Sequence, residues 1–270
     1  MAQAPPQLPA HFGRDFTKTS HEKPSSSIDP SKIALPEGYT VLITGAGKGI
    51  GEHIARSYAQ ARASNIIITA RTASDLDKVK GDLEQIASGN GCKLQVRTLA
   101  SDASKLETFT NLKSIIEKDF NGRLDCLINN AAAIGSNANF TPKLHDTDPE
   151  EHARLFELNY LGPMYAMQTL IPLLIKSESK GRLVVNITSA AAHMTSGPIP
   201  VAYSVSKHAL NRLTQSVAEN YSDDGLVAIA LHPGGVKSYS AQFVPDWMKA
   251  SECTPMANKI WIVALTTMQR

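Results

Sequence analysis

Tyr203 and Lys207 stand four residues apart in Tyr203-Ser204-Val205-Ser206-Lys207, a spacing that stacks a phenol and an ammonium on one face of a helix. A free phenol has a pKa near ~10, too high for efficient proton exchange at neutral pH, and a fixed neighbouring cation lowers it by stabilising the phenolate. The pair is therefore a candidate proton donor and acceptor. The same spacing also occurs on ordinary exposed helix faces, so its weight depends on what accompanies it.

The first companion is Thr44-Gly45-Ala46-Gly47-Lys48-Gly49-Ile50-Gly51, which joins an apolar run directly to a helical pattern containing Ile54 and Tyr58. A strand-to-helix turn without Cβ atoms lets backbone and diphosphate approach closely, while free N–H groups and the positive helix end favour the anion. The spacing is Gly-x-x-x-Gly-x-Gly rather than GxGxxG, and no Lys-Ser/Thr pair follows as a P-loop requires. A dinucleotide is the expected ligand. Enzymes that use NAD carry an acidic residue about 20 positions past such a turn, on the ribose hydroxyls. Here the second apolar run ends in Thr69-Ala70-Arg71, and Arg71 and Lys48 supply positive charge from adjacent turns. NADP(H) is expected over NAD(H).

These residues need a frame. Short apolar runs at 40–44, 65–70, 93–99, 124–129, 182–187 and 226–231 alternate with amphipathic stretches near 50–62, 74–88, 104–119, 149–176 and 203–222. In the last stretch Leu210, Leu213, Val217 and Tyr221 share a face. The alternation predicts an α/β fold, a doubly wound parallel sheet of Rossmann type with six readable strands and right-handed crossovers. Residues 1–36 are rich in Pro and Ser and have little to bury, so they are expected to form a disordered or surface-lying arm before a single catalytic domain at 37–270.

Composition narrows the classes. At 270 residues and 42% hydrophobic, the chain can bury one substantial core. A formal charge of +2, spread without blocks, disfavours a nucleic-acid partner. Cys92, Cys126 and Cys253 are odd in number and widely spaced, which fits reduced thiols in a cytoplasmic protein. No secretory signal or spanning run is read, so a soluble protein without a membrane partner is expected. His193, His208 and His232 lack metal-ligand spacing, and no metal is expected. A Ser-His-Asp hydrolase is disfavoured because Ser189 lacks a Gly-x-Ser-x-Gly elbow.

Taken in order from about Thr40 to Ser238, the motifs resemble those of the short-chain dehydrogenase/reductase family. The turn from Thr44 to Gly51 resembles the family's cofactor turn, Asp102 its adenine contact after the third strand, and Asn129-Asn130-Ala131 the end of its fourth strand. Asn159 resembles the active-site asparagine, Asn186-Ile187-Thr188-Ser189 the strand end that presents the serine, and Pro233-Gly234-Gly235-Val236-Lys237-Ser238 the nicotinamide loop. The resemblance implies that Tyr203 exchanges a proton with the substrate oxygen and that Lys207 lowers its pKa and binds the nicotinamide ribose. It further implies that Ser189 hydrogen-bonds the carbonyl oxygen and that Asn159 holds a water leading from Lys207 to solvent. Gly45, Lys48, Gly49, Ile50, Gly51, Arg71, Asp102, Asn130, Tyr203, Lys207, Pro233, Val236 and Ser238 are the expected cofactor contacts.

The expected reaction moves a hydride between nicotinamide and a ketone or secondary alcohol, on a small-molecule substrate, in a homo-oligomer joined through the helices near 149–176 and 203–222. An epimerase or dehydratase using the same site, and an NADP(H)-binding regulator with little turnover, are the competing readings. Three features depart from the family: Ala132 replaces the usual Gly, the 189–203 loop is slightly longer, and no seventh strand is readable after 254–266. Loops near 190–202 and 238–253 are expected to set the substrate, with Phe243, Val244, Trp247 and Met248 suggesting a medium-sized, partly apolar ketone.

Overall fold

The runs Thr40–Thr44 (β1) and Asn65–Ala70 (β2) are dominated by β-branched residues, which suit a pleated surface buried on both faces. In the computed structural model, which describes residues 28–135, 143–177, 181–194 and 199–234, these runs form the centre of a sheet. It is completed by Gln95–Ala100 (β3), Cys126–Asn129 (β4), Leu183–Ile187 (β5) and Val227–Leu231 (β6). The order is β3-β2-β1-β4-β5-β6, with every pairing parallel.

Alternate residues of one strand feed two different cores. Val41 and Ile43 pack with Ile54 and Tyr58 from Gly49–Gln60 (α1) and with Leu76, Val79 and Leu83 from Ala73–Gly89 (α2). Leu42, between them in β1, packs on the opposite face with Phe109 and Leu112 from Leu106–Asp119 (α3) and Leu170 and Leu174 from Gly162–Lys176 (α5). Val201–Asn220 (α6) lies on this second face through Val217. The chain runs outward from β1 to β3 and returns to β4 beside β1, so the connections diverge above the carboxyl ends of β1 and β4 and open a crevice there.

β1 and β2 match the predicted runs, whereas β3 to β6 start one or two residues later, and β3, an edge strand with exposed alternate residues, ends at Ala100. The stretch expected as one helix over 149–176 is three pieces: Pro149–Phe156 (α4), a π-helical turn at Glu157–Leu161, and α5. Gly162 N–H reaches back to Glu157 O, a five-residue step. A Cβ on Gly162 would collide with the carbonyl oxygen of Ala103, and Pro163 brings no N–H to restore the ladder. The Gly162-Pro163 pair thus accounts for the local distortion.

Helix α6 begins at Val201, two residues before the apolar periodicity suggests, because Pro200 caps the helix rather than ending a loop. Residues 1–27 of the expected arm and the region where a seventh strand was sought, 235–270, lie outside the described residues. Of the rest of the arm, Asp29 caps a short turn at Pro30–Lys32, and Leu35 is buried in the first core with its N–H donating to Ala61 O. Packing therefore begins before residue 37.

Candidate active site

Two turns face each other across the crevice. Gly45 and Gly49 have φ of 66° and 64°, in the left-handed region where a side chain is strained. A Cβ on Gly45 would lie 2.8 Å from Ala131 Cα; one on Gly51 would lie 2.5 Å from Gly45 O and 2.6 Å from Asn130 Nδ2. The end of β4 clamps this turn. Asn130 Nδ2 donates to Thr44 O and Gly45 O at 3.0 and 3.1 Å, and Thr44 Oγ1 accepts the N–H groups of Asn130 and Ala131, each at 3.1 Å. Asn130 therefore shapes the turn, with its amide hydrogens already committed to it.

No side chain caps the start of α1, where Lys48 is the N-cap residue, so the helix presents backbone N–H groups to the turn. A Cβ-free cradle at an uncapped helix start fits a diphosphate. Ile50 packs against the first core; Lys48 and Arg71 are exposed on neighbouring turns; Asp102 is exposed after β3, its carboxylate accepting Ser104 N–H at 2.9 Å. Pro233 follows β6 and is half-buried, while Val236, Ser238 and the apolar residues at 243–248 lie outside the described residues.

The candidate catalytic groups meet where β5 ends against α6. Ser189 follows β5, its Oγ accepts Ala191 N–H at 3.2 Å, and its side chain lies near enough to Tyr203, in the first turn of α6, to act on the phenol's pKa. Lys207 is buried, donates from Nζ to Ile187 O at 2.8 Å, and holds Nζ 6.0 Å from the centroid of the Tyr203 ring. Burial raises the Tyr203 pKa above its usual value, with Ser189 pulling the other way. Burial also lowers Lys207 to about 8. Desolvation is the larger influence on both groups.

Asn159 sits wholly buried in the π turn. Its Oδ1 accepts Ala133 N–H at 2.9 Å, and its Nδ2 donates to Ala133 O at 2.8 Å and Ser206 Oγ at 3.1 Å. The amide braces the loop after β4 against α6 and leaves one Oδ1 lone pair for a water. Ser206, not singled out in the sequence, completes the brace by donating to Tyr203 O at 2.8 Å. A second missed feature is a buried polar ladder in which Asn129 Nδ2 donates to Asn186 Oδ1 and Asn186 Nδ2 to Thr214 Oγ1, both at 2.8 Å. It ties β4, β5 and α6 together. Asn residues inside apolar runs were its sequence signal, since a buried amide requires partners.

His193 and His208 are exposed, and no group of three metal-ligating side chains occurs among the described residues. No helix among them is long and apolar enough to cross a membrane.

A parallel sheet in the order 3-2-1-4-5-6, with a glycine cradle at its crevice and a Ser-Tyr-Lys cluster beside it, defines a Rossmann-type enzyme fold. The sequence model described as short chain dehydrogenase matches residues 39–249. The chain is 52% identical over 229 residues to the short chain dehydrogenase pgmD of Aspergillus terreus, covering 84% of this chain and 73% of that one. It is 32% identical over 243 residues to the short chain dehydrogenase mpl6 of Monascus purpureus, covering 90% and 80%. Among solved structures, a metagenomic short-chain oxidoreductase in complex with NADP superposes with a TM-score of 0.68 at 27% identity, covering 86% of this chain and 91% of that one. A Caenorhabditis elegans short-chain dehydrogenase/reductase of unknown function, solved with cofactor, gives 0.73 at 25% identity, covering 86% and 89%. The chain belongs to the short-chain dehydrogenase/reductase family of oxidoreductases.

Proposed function

We propose that the protein is an NADP(H)-dependent oxidoreductase that transfers a hydride between nicotinamide and a ketone or secondary alcohol, with Tyr203 as the general acid and base. The observation that carries this is the meeting of Ser189, at the end of β5, with Tyr203 and buried Lys207 on α6, the Lys207 Nζ 6.0 Å from the Tyr203 ring centroid. Binding alone does not call for such a cluster.

Bound NADPH supplies the hydride. Ser189 Oγ holds the substrate oxygen, where negative charge grows, and Tyr203 Oη gives that oxygen its proton. A phenol whose pKa burial keeps high stays protonated at neutral pH, which suits the reductive direction. Lys207, tied from α6 to the end of β5, steadies the phenolate left behind and would hydrogen-bond a bound nicotinamide ribose. Exposed Arg71 and Lys48, flanking the cradle, support a 2′-phosphate, and the NADP complex of a structural relative agrees. The reading includes a cytoplasmic homo-oligomer packed through α4, α5 and α6.

Tyr203→Phe tests the assignment. NADPH consumption with a panel of ketones is expected to fall at least ~100-fold while NADPH affinity, followed by its fluorescence, stays within about twofold. Equal turnover in the two proteins would leave a cofactor-binding protein instead. A clear preference for NADH in the same assays would overturn the cofactor choice.

A further inference from the structure

Lys48 and Arg71 bring positive charge to the cradle. The fold also brings a carboxylate there from the start of α2. Asp75 is half-buried in the first turn of that helix, and it approaches Gly47 in the middle of the cofactor turn. A Cβ on Gly47 would lie 3.0 Å from Ala70 Cβ, 3.1 Å from Asp75 Cβ and 3.9 Å from Asp75 Oδ2. The carboxylate therefore abuts the glycine turn next to the end of β2, in the wall that also carries Lys48 and Arg71. No ion-pair partner for Asp75 or Arg71 is found among the described residues, so neither charge is cancelled locally by a salt bridge.

We propose that Asp75 is a specificity-determining residue of the cofactor site, a carboxylate that accepts from ribose hydroxyls and works against a 2′-phosphate. The proposal rests on the dinucleotide reading and refines it. Lys48 and Arg71 attract the phosphate while Asp75 opposes it, so the site discriminates less between NADPH and NADH than its two cations alone would. An acidic residue in the first turn of a helix is also favoured simply by the helix dipole, and that ordinary role predicts a different result. A purely local role changes stability and leaves the ratio of cofactor affinities alone.

The test is direct titration of the wild-type protein and of Asp75→Asn with NADPH and NADH, followed by nucleotide fluorescence without any substrate. Asp75→Asn is expected to tighten NADPH about fivefold, to leave NADH unchanged or weaker, and to lose much of the NADPH gain at high salt. Asp75→Ser, which also suits a helix start, should shift the ratio the same way and covers the case in which the Asn variant does not fold. An NADPH/NADH affinity ratio unchanged within twofold in a folded variant overturns the role of Asp75 while leaving the dinucleotide site standing. A wild-type protein that binds neither nucleotide removes the dinucleotide reading itself, and the proposal with it.

Discussion

An ammonium sealed under the Tyr203 ring, with Ile187 O as its protein partner, has given up most of its hydration, and its pKa falls from 10.5 to about 8. Between those two values the unfolded chain keeps a proton that the folded chain has released, so stability rises with pH across that window. In the protein without nucleotide, wild type is expected to gain up to about 3 kcal/mol relative to Lys207→Met between pH 7 and pH 10. Urea unfolding at the two pH values measures it, and parallel curves for the two proteins would refute a desolvated ammonium. Tyr203, Lys207 and Ser189 were legible because their signal is local, a helical spacing and a strand end. Asp75 was not, because its meeting with Gly47 is made by the β2–α2 connection and no pattern within either segment announces it.

Among elements, the β1–α1 turn and the end of β4 are fitted more tightly than any side chain at Gly51 would permit. Gly51→Ala forces the Gly45 carbonyl and the Asn130 amide apart, and overpacking of this kind costs about 1–3 kcal/mol. The variant is expected to melt earlier and to lose more than about tenfold in NADPH affinity, read by thermal unfolding and by titration. Normal melting with normal affinity would show that the turn yields freely. The turn and its helix were readable from glycine spacing, whereas the break at 157–161 was not, since apolar periodicity runs through a π turn almost undisturbed. Only the Gly162-Pro163 pair hinted at it. The early start of α6 was obscured by Pro200, which reads as loop in isolation and serves as the cap that sets Tyr203 in the first turn.

Across the whole molecule, the alternation of apolar runs and amphipathic stretches was enough to foretell a doubly wound sheet, because buried parallel strands need helices on both faces. The polar ties between layers were beyond it. Asp125, fully buried before β4, accepts from Thr40 N–H at 2.8 Å, from Arg123 Nε at 3.0 Å and from Ser177 Oγ at 2.5 Å, linking β1, β4 and the end of α5. One position along, Cys126 is sealed in the β1–β4 seam with its sulfur 3.3 Å from Tyr58 Oη, and burial pushes the thiol up to about 12. A thiol attacks only as thiolate and only when reached, so Cys126 is chemically silent while the sheet stays shut. With half-buried Cys92 as a fast internal reference, peptide-resolved alkylation at Cys126 is expected to proceed at the rate of global opening and to accelerate with mild denaturant; rapid labelling in native buffer would contradict the buried seam. The centre of this sheet thus keeps a timer of its own breathing, readable by mass without any added reporter.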